Sequence, residues 1–226
     1  MNPIGAAKKM AINILPVSSA ELEEQVASFT ELFKETVNGG ASLGYVAPLT
    51  HNAARDYWLS LRSELDSGAR LLLAAYAEGQ LVGSGQLYLP YWPAARHRAE
   101  VHKLLVGATM RGQGVGKQLM TSLHETSRRR GRSLILLNTR RGGSAERFYM
   151  RLGYKEVGVV PGHIAAAGRA SLRQRDFVSG ACVVGGKVSR VGLNVHFKLI
   201  VLNTKTRRAQ SVPLTLRFPA QLGKIN

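Results

Sequence analysis

AEVHKLLVGATMRGQGVG, Ala99 to Gly116, decides how this chain is read, because an apolar strand-like run enters a glycine-rich loop and leaves it as an amphipathic helix. Ala99 to Val106 has strand character, and the apolar residues Val115, Leu119, Met120 and Leu123 return at helical spacing. Between them lie Arg111, Gly112, Gln113, Gly114, Val115 and Gly116, with Lys117 next. Three glycines let the main chain close on an anion, and a helix start adds unpaired N–H groups and a positive dipole end. Arg111 supplies a charged fork beside them. The spacing matches neither GxGxxG nor GxxxxGK[ST], so neither standard nucleotide fingerprint applies. Taken alone, the loop also reads as a plain turn between strand and helix.

Outward from this loop the pattern is mixed. Ala11 to Val17 reads as a strand, Ser18 or Ser19 caps a helix over Glu21 to Val37, and Asn38-Gly39-Gly40 stops it. A second helix runs from about Asn52 to Leu65. Arg70 to Ala77 and Gln80 to Leu89 form a hairpin across Glu78-Gly79. After the loop come a helix Val115 to Arg130, a strand Ser133 to Thr139, a short helix from Ser144 to Leu152 and a strand Tyr154 to Val160. Such an order predicts an α/β fold of the α+β kind, a mixed sheet with helices on both faces.

The pattern R-x-x-G-x-G after a strand and opening a helix resembles the acetyl-CoA pyrophosphate loop of the GNAT acetyltransferase family. AERFYMRLGYKEVG (Ala145 to Gly158) is similar to that family's helix-turn-strand signature. LFKETVNGGASLGY (Leu32 to Tyr45) and RAEVHKLLV (Arg98 to Val106) resemble its tabtoxin-resistance branch. Together these motifs cover residues 11–162. The resemblance implies an acetyl-CoA-dependent N-acetyltransferase acting on the amine of a small molecule, with an amino-acid-like or β-lactam toxin as acceptor, and no metal.

It also implies roles. Backbone amides from Arg111 to Gly116 bind the pyrophosphate, with Lys117, Asn138 and Ser144 also at the coenzyme. Backbone groups of Leu104, Leu105 and Val106 pair with the pantetheine arm, and the amide of Val106 or its neighbour polarises the thioester. Glu100 is the base candidate. By two-residue alternation it shares a face with His102 and Leu104, and an apolar strand is expected to raise its pKa. The competing reading is a salt bridge to Arg98 or Lys103. His102 is the rival base or a structural histidine on the acceptor side. Tyr149 is the proton donor to the coenzyme thiolate, or a packing residue with Phe148. The branch tends to carry an acid in the motif LLNTRRG where Asn138 stands, so a mechanism needing a second carboxylate there is in doubt. Asn38, Gly39, Gly40, Ser42 and Tyr45 are expected over the acceptor, or as a helix cap and linker.

Bulk properties bound the rest. At 226 residues and 45% hydrophobic the chain can bury a sizeable core. Cys182 is the sole cysteine, so no intrachain disulfide forms. No apolar run reaches membrane-spanning length and Met1 to Leu15 lacks a signal-peptide core, so a cytoplasmic location without a membrane partner is expected. Net charge is +17, and from Ile164 onward eleven Lys and Arg face one acid, Asp176. Residues 1–10 read as a flexible start, 11–162 as the acetyltransferase body and 163–226 as an atypical basic tail. Its Ala- and Arg-rich start, HIAAAGRASLRQRDF, predicts a missing or altered final strand. The tail is either a natural extension or a frameshift product. Two other functions stay open: a catalytically impaired acetyl-CoA-binding module, and a nucleic-acid-associated protein using the tail, which lacks interleaved aromatics. A homodimer is a possible assembly.

Overall fold

The computed structural model describes residues 10–41, 43–167, 172–183, 200–203 and 208–211. The chain divides into two compact units, Met1–Gly185 and Gly186–Asn226. In the first lie β1 (Ile12–Val17), α1 (Ser19–Glu24), α2 (Val26–Asn38), α3 (His51–Leu59), α4 (Arg62–Asp66), β2 (Arg70–Ala77), β3 (Gln80–Tyr88), β4 (Arg98–Val106), α5 (Val115–Arg129), β5 (Leu134–Arg140), α6 (Ser144–Arg151), β6 (Lys155–Ala167) and β7 (Leu172–Val183). The second holds a hairpin of β8 (Ile200–Asn203) and β9 (Arg208–Ser211).

Local chemistry sets the element ends. Ser18 caps α1 reciprocally: its Oγ accepts from the Glu21 N–H at 3.2 Å while the Glu21 carboxylate accepts from the Ser18 N–H at 2.7 Å. The expected helix over Glu21 to Val37 is two helices, parted at Gln25, whose side chain accepts from the Tyr76 hydroxyl at 2.6 Å. The second expected helix likewise parts at Ser60-Leu61 into α3 and α4. Glu78 and Gly79, at φ 49 and 78, make the tight turn between β2 and β3, the twist that suits a two-residue hairpin.

The sheet runs β1-β2-β3-β4-β5-β7-β6. All neighbours are antiparallel except β4 and β5, which are parallel. One face carries α5 and α6, packed through Val115, Leu119, Met120, Leu123, Leu87, Ile135 and Leu137. The other carries the N-terminal helices, through Leu22, Phe29, Phe33, Trp58, Leu72, Ala74 and Leu105. Gly83 in β3 lets α5 approach, since a Cβ there would lie 2.9 Å from the Leu105 carbonyl and 3.1 Å from Val115.

One expectation is corrected. The segment read as failing to supply a final strand forms the end of β6 and then β7, which inserts between β5 and β6. Leu134 to Arg140 pair in register with Val183 to Phe177 on one edge, and Lys155 onward pairs along the other. Two ladders impose the extended state on a sequence whose composition does not. Gly180 sits at the centre, where a Cβ would meet Leu137 at 3.4 Å and Tyr154 at 3.7 Å.

Candidate active site

The glycine loop lies between the end of β4 and the start of α5. Gly112 and Gly114 adopt φ of 78 and 87, a left-handed geometry that side chains resist. Gly114 precedes the helix without a side-chain cap, and the first helical bond runs from the Gln118 N–H to the Gly114 carbonyl at 3.0 Å. The amides of Val115, Gly116 and Lys117 come ahead of that ladder, which leaves them for an anion. Gly116 is tight for a different reason: a Cβ would lie 3.4 Å from Phe148 of α6 and 3.7 Å from Val106. Arg111 Nε donates to the Val106 carbonyl at 3.3 Å and the Gln113 amide to the Thr109 carbonyl at 2.9 Å, which fold the loop back on the strand.

Beside the loop the sheet opens. β4 and β5 pair only at Arg98/Leu134, Ala99/Ile135 and Glu100/Leu136. Beyond that, Leu105 and Val106 pair with β3, and Leu137 to Arg140 pair with β7. The two parallel strands therefore diverge, and the edges of Leu104–Val106 and Asn138 flank the divergence. Asn138 and Ser144 are exposed, Ser144 as the first residue of α6.

On the face that carries α2 and α3, a polar chain crosses the sheet. Arg70 is 8% exposed and donates from Nε to Glu64 at 2.5 Å, and from one terminal nitrogen to Gln86 Oε1 at 3.0 Å and His102 Nδ1 at 3.2 Å. Tyr57 donates to the same Gln86 oxygen at 2.9 Å. Since arginine only donates, His102 Nδ1 must accept, and the neutral ring carries its proton on Nε2. That nitrogen lies 3.3 Å from Glu100 Oε2. His102 is thereby a clamp on Glu100, and its lone pair is already engaged.

The expected rise in the Glu100 pKa is corrected. The His102 hydrogen bond, helped by the charges of His102, Arg98 and Arg70, outweighs burial and holds the carboxyl below its usual range. The Arg98 pair, one of the competing readings, is present at 3.8 Å, whereas Lys103 turns elsewhere.

Lys103 breaks the alternation. It has φ 45, and the β3 register slips between Ser84 and Gln86, as at a β-bulge. In consequence Leu104 packs with α5, its Cδ1 being near Gly85 beside Leu123, and does not share the face of Glu100 and His102. Lys103 itself swings toward α2 and α3. Its ammonium donates to the Leu43 carbonyl and lies 5.2 Å from the Tyr57 ring centre, 5.4 Å from Tyr45 and 6.0 Å from Phe33. Burial, with Arg70 nearby, lowers its pKa to about 8.

The loop after α2 is thus tied to β4. Asn38 accepts the Leu49 N–H at 2.8 Å, a structural use of a residue expected at the acceptor. Gly39 donates to the Glu35 carbonyl at 2.8 Å, Gly40 and Gly44 take φ of 91 and 80, and Tyr45 stacks edge-on to Phe33 at 5.2 Å. Ser42 lies outside the described residues. Tyr149 packs between Phe148 and Tyr154, with ring centres at 5.2 and 5.7 Å, and burial pushes its phenol up, keeping it protonated.

Arg70, Gln86 and Tyr57 carry no role in the sequence reading, and Lys103 enters it only as a possible ion-pair partner of Glu100. A trace existed: Arg70 opens an otherwise apolar strand, and the adjacent polar pair His102-Lys103 interrupts a two-residue period.

The model of the Acetyltransferase (GNAT) family matches residues 29–154, more than half of the chain. The chain belongs to the GNAT family. Among curated GNAT-like relatives, an 84-residue segment is 36% identical to an aminoalkylphosphonate N-acetyltransferase of Salmonella typhimurium, over 36% of this chain and 54% of that one. A 69-residue segment is 38% identical to an uncharacterized N-acetyltransferase of Methanocaldococcus jannaschii, over 30% of each. The chain spans about half the length of the first relative and under a third of the second. The fold is similar to that of a ribosomal-protein-alanine N-acetyltransferase from Brucella melitensis, at 20% identity and TM-score 0.60 over 76% of this chain and 99% of that one. It is also similar to yncA from Salmonella typhimurium, solved with its cofactor acetyl-CoA, at 17% identity and TM-score 0.62 over 79% and 97%. Among the described residues no helix is long and apolar enough to cross a membrane.

Proposed function

We propose that this chain transfers an acetyl group from acetyl-CoA to the amine of a small molecule, and that it stands nearest the tabtoxin-resistance branch, with an amino-acid-like or β-lactam amine as acceptor. The observation that carries the reading is the parting of β4 from β5 after Glu100 and Leu136, beside a glycine loop that presents helix-start amides. The residues fit the coenzyme: Val115, Gly116 and Lys117 amides suit a pyrophosphate, and the open edge of Leu104 to Val106 suits an amide-bearing arm.

When bound, acetyl-CoA supplies a thioester carbonyl open to attack by an amine. Glu100, held ionised by His102 and Arg98, anchors the acceptor nitrogen and receives its proton at a carboxylate oxygen. Its lowered pKa makes it a better anchor than base, so proton uptake there follows the nitrogen's loss of basicity as its bond to carbon forms. His102 keeps its proton on Nε2 and orients that carboxylate. Tyr149, kept protonated by burial, is the hydroxyl that donates to the departing sulfur. With β7 in place between β5 and β6, no missing strand favours a binding module without turnover. A cytoplasmic setting accompanies this reading.

The test is acetyl-CoA binding by calorimetry together with CoA release against a panel of small amines. Binding with amine-dependent release is expected. Failure to bind acetyl-CoA would sink the proposal.

A further inference from the structure

Lys103 is a half-buried cation that the site leaves electrically unbalanced. Arg70 has Glu64 at 2.5 Å and Arg98 has Glu100 at 3.8 Å. No carboxylate among the described residues lies within ion-pair reach of Lys103, whose ammonium has only the Leu43 carbonyl and the faces of Phe33, Tyr45 and Tyr57. Rings and a carbonyl orient an ammonium but carry no net charge, and Arg70 adds a like charge nearby.

A second donor in the same cluster is also unspent. Gln86 is 0% exposed, and its Oε1 accepts from both Tyr57 and Arg70, so its amide cannot turn over without losing both bonds. Its Nε2 is left without a partner. Tyr57 joins the two features, with its ring on Lys103 and its hydroxyl on Gln86. The bulge at Lys103 directs the ammonium to the face that bears Glu100 and His102, against the Leu43 carbonyl.

We propose that Lys103 is the receptor for an anionic group on the acceptor, so that the amine taken by this site also carries a carboxylate or a phosphonate. This rests on the acetyl-transfer reading and adds a division of labour: Glu100 faces the nitrogen and Lys103 the acidic end. The acceptor's negative group supplies the counter-charge that the protein omits, and on binding it replaces the Leu43 carbonyl as partner of the ammonium.

The experiment compares three amines of similar length, β-alanine, 2-aminoethylphosphonate and propylamine, in CoA release and in calorimetry. Wild type, Lys103→Met and Lys103→Arg are used, with thermal melting to verify folding and acetyl-CoA affinity as a control. Wild type is expected to favour at least one anionic amine over propylamine by tenfold or more in kcat/KM, and the two anionic arms identify which acid. Lys103→Met should lose that preference through KM while retaining propylamine turnover and acetyl-CoA affinity, and Lys103→Arg should keep part of it. Equal use of all three amines by wild type, or an undiminished preference in Lys103→Met, overturns the proposal. If no amine is turned over, calorimetry decides: Lys103-dependent binding of an anionic amine upholds the receptor while the acetyl-transfer reading falls, and no such binding overturns the receptor.

Discussion

The guanidinium of Arg70 donates to Nδ1 of His102 at 3.2 Å, and this contact between β2 and β4 fixes the tautomer that faces Glu100. The lone pair of His102 Nδ1 is engaged by that arginine. Its remaining N–H points at a carboxylate, which makes the Glu100 side chain a persistent anion. Arg70 thereby positions the His102 ring.

Glu100→Gln should lower turnover by ~10²-fold or more, on the usual scale of lost proton-transfer catalysis, while leaving acetyl-CoA affinity unchanged. Since the folded-state pKa of Glu100 is lowered, the ionised form is present above the ordinary carboxylate range and is lost only as pH falls through the folded value. The acid limb of the rate profile is therefore expected below the ordinary carboxylate range. His102→Ala removes the largest cause of that lowering, so the limb should move upward in pH. Rate profiles of the three proteins check this, and an unmoved limb in His102→Ala would separate His102 from Glu100.

Gly114→Val places a β-branched residue at φ 87, a backbone state that costs about 1–3 kcal/mol for such a side chain. Relaxation of the loop moves the Val115 and Gly116 amides off their anion. Acetyl-CoA affinity should fall roughly tenfold or more, by the relation between free energy and equilibrium constant. Calorimetry on a variant with a native-like melt measures it.

Tyr149→Phe should reduce turnover and spare coenzyme affinity. The phenol is protonated throughout the neutral range because burial raises its pKa, so the wild-type rate should show no basic limb from this group below pH 10. Single-turnover rates with saturating acetyl-CoA distinguish a lost proton donor from lost packing, which would instead lower the melting temperature.

Lys103 gives a stability signature. Its pKa in the folded chain is about 8 against an ordinary lysine value of 10.5, so between these values the unfolded chain binds more protons. Stability contributed by this group therefore rises with pH across that window. Below it, the cost of burying the charge is fully present. Denaturant titrations at intervals from pH 7 to 11 should show the rise in wild type and its loss in Lys103→Met.

Truncation after Gly185 should leave a folded body, because the first compact unit ends there. Truncation after Gly162 removes β7 and exposes the paired edge of β5, which should abolish cooperative unfolding and promote aggregation. The basic character of residues 163–226 does not separate these outcomes, and circular dichroism melts with light scattering do. A frame-corrected ending that outperforms the present one in stability would support the frameshift origin of the tail.

The sequence by itself determined the glycine loop proposed for the coenzyme. Glycines at 112, 114 and 116 between a strand and a helix are a local constraint, since backbone angles and helix-start amides follow from neighbouring residues. The hairpin at Glu78-Gly79 and the helix of Val115 onward were legible for the same reason. Only the tertiary structure decided the acceptor side. Arg70, Gln86 and His102 lie on three strands that meet through register, and a bulge at Lys103, invisible to two-residue alternation, turned Leu104 to one face and the ammonium to the other. The pKa of Glu100 goes down rather than up because His102 and Arg98, each two residues away on the same strand, face it and outweigh burial, with Arg70 of β2 adding its charge. The extended state of β7 likewise comes from ladders to β5 and β6, whose hydrogen bonds outweigh the local preference of an Ala- and Arg-rich segment.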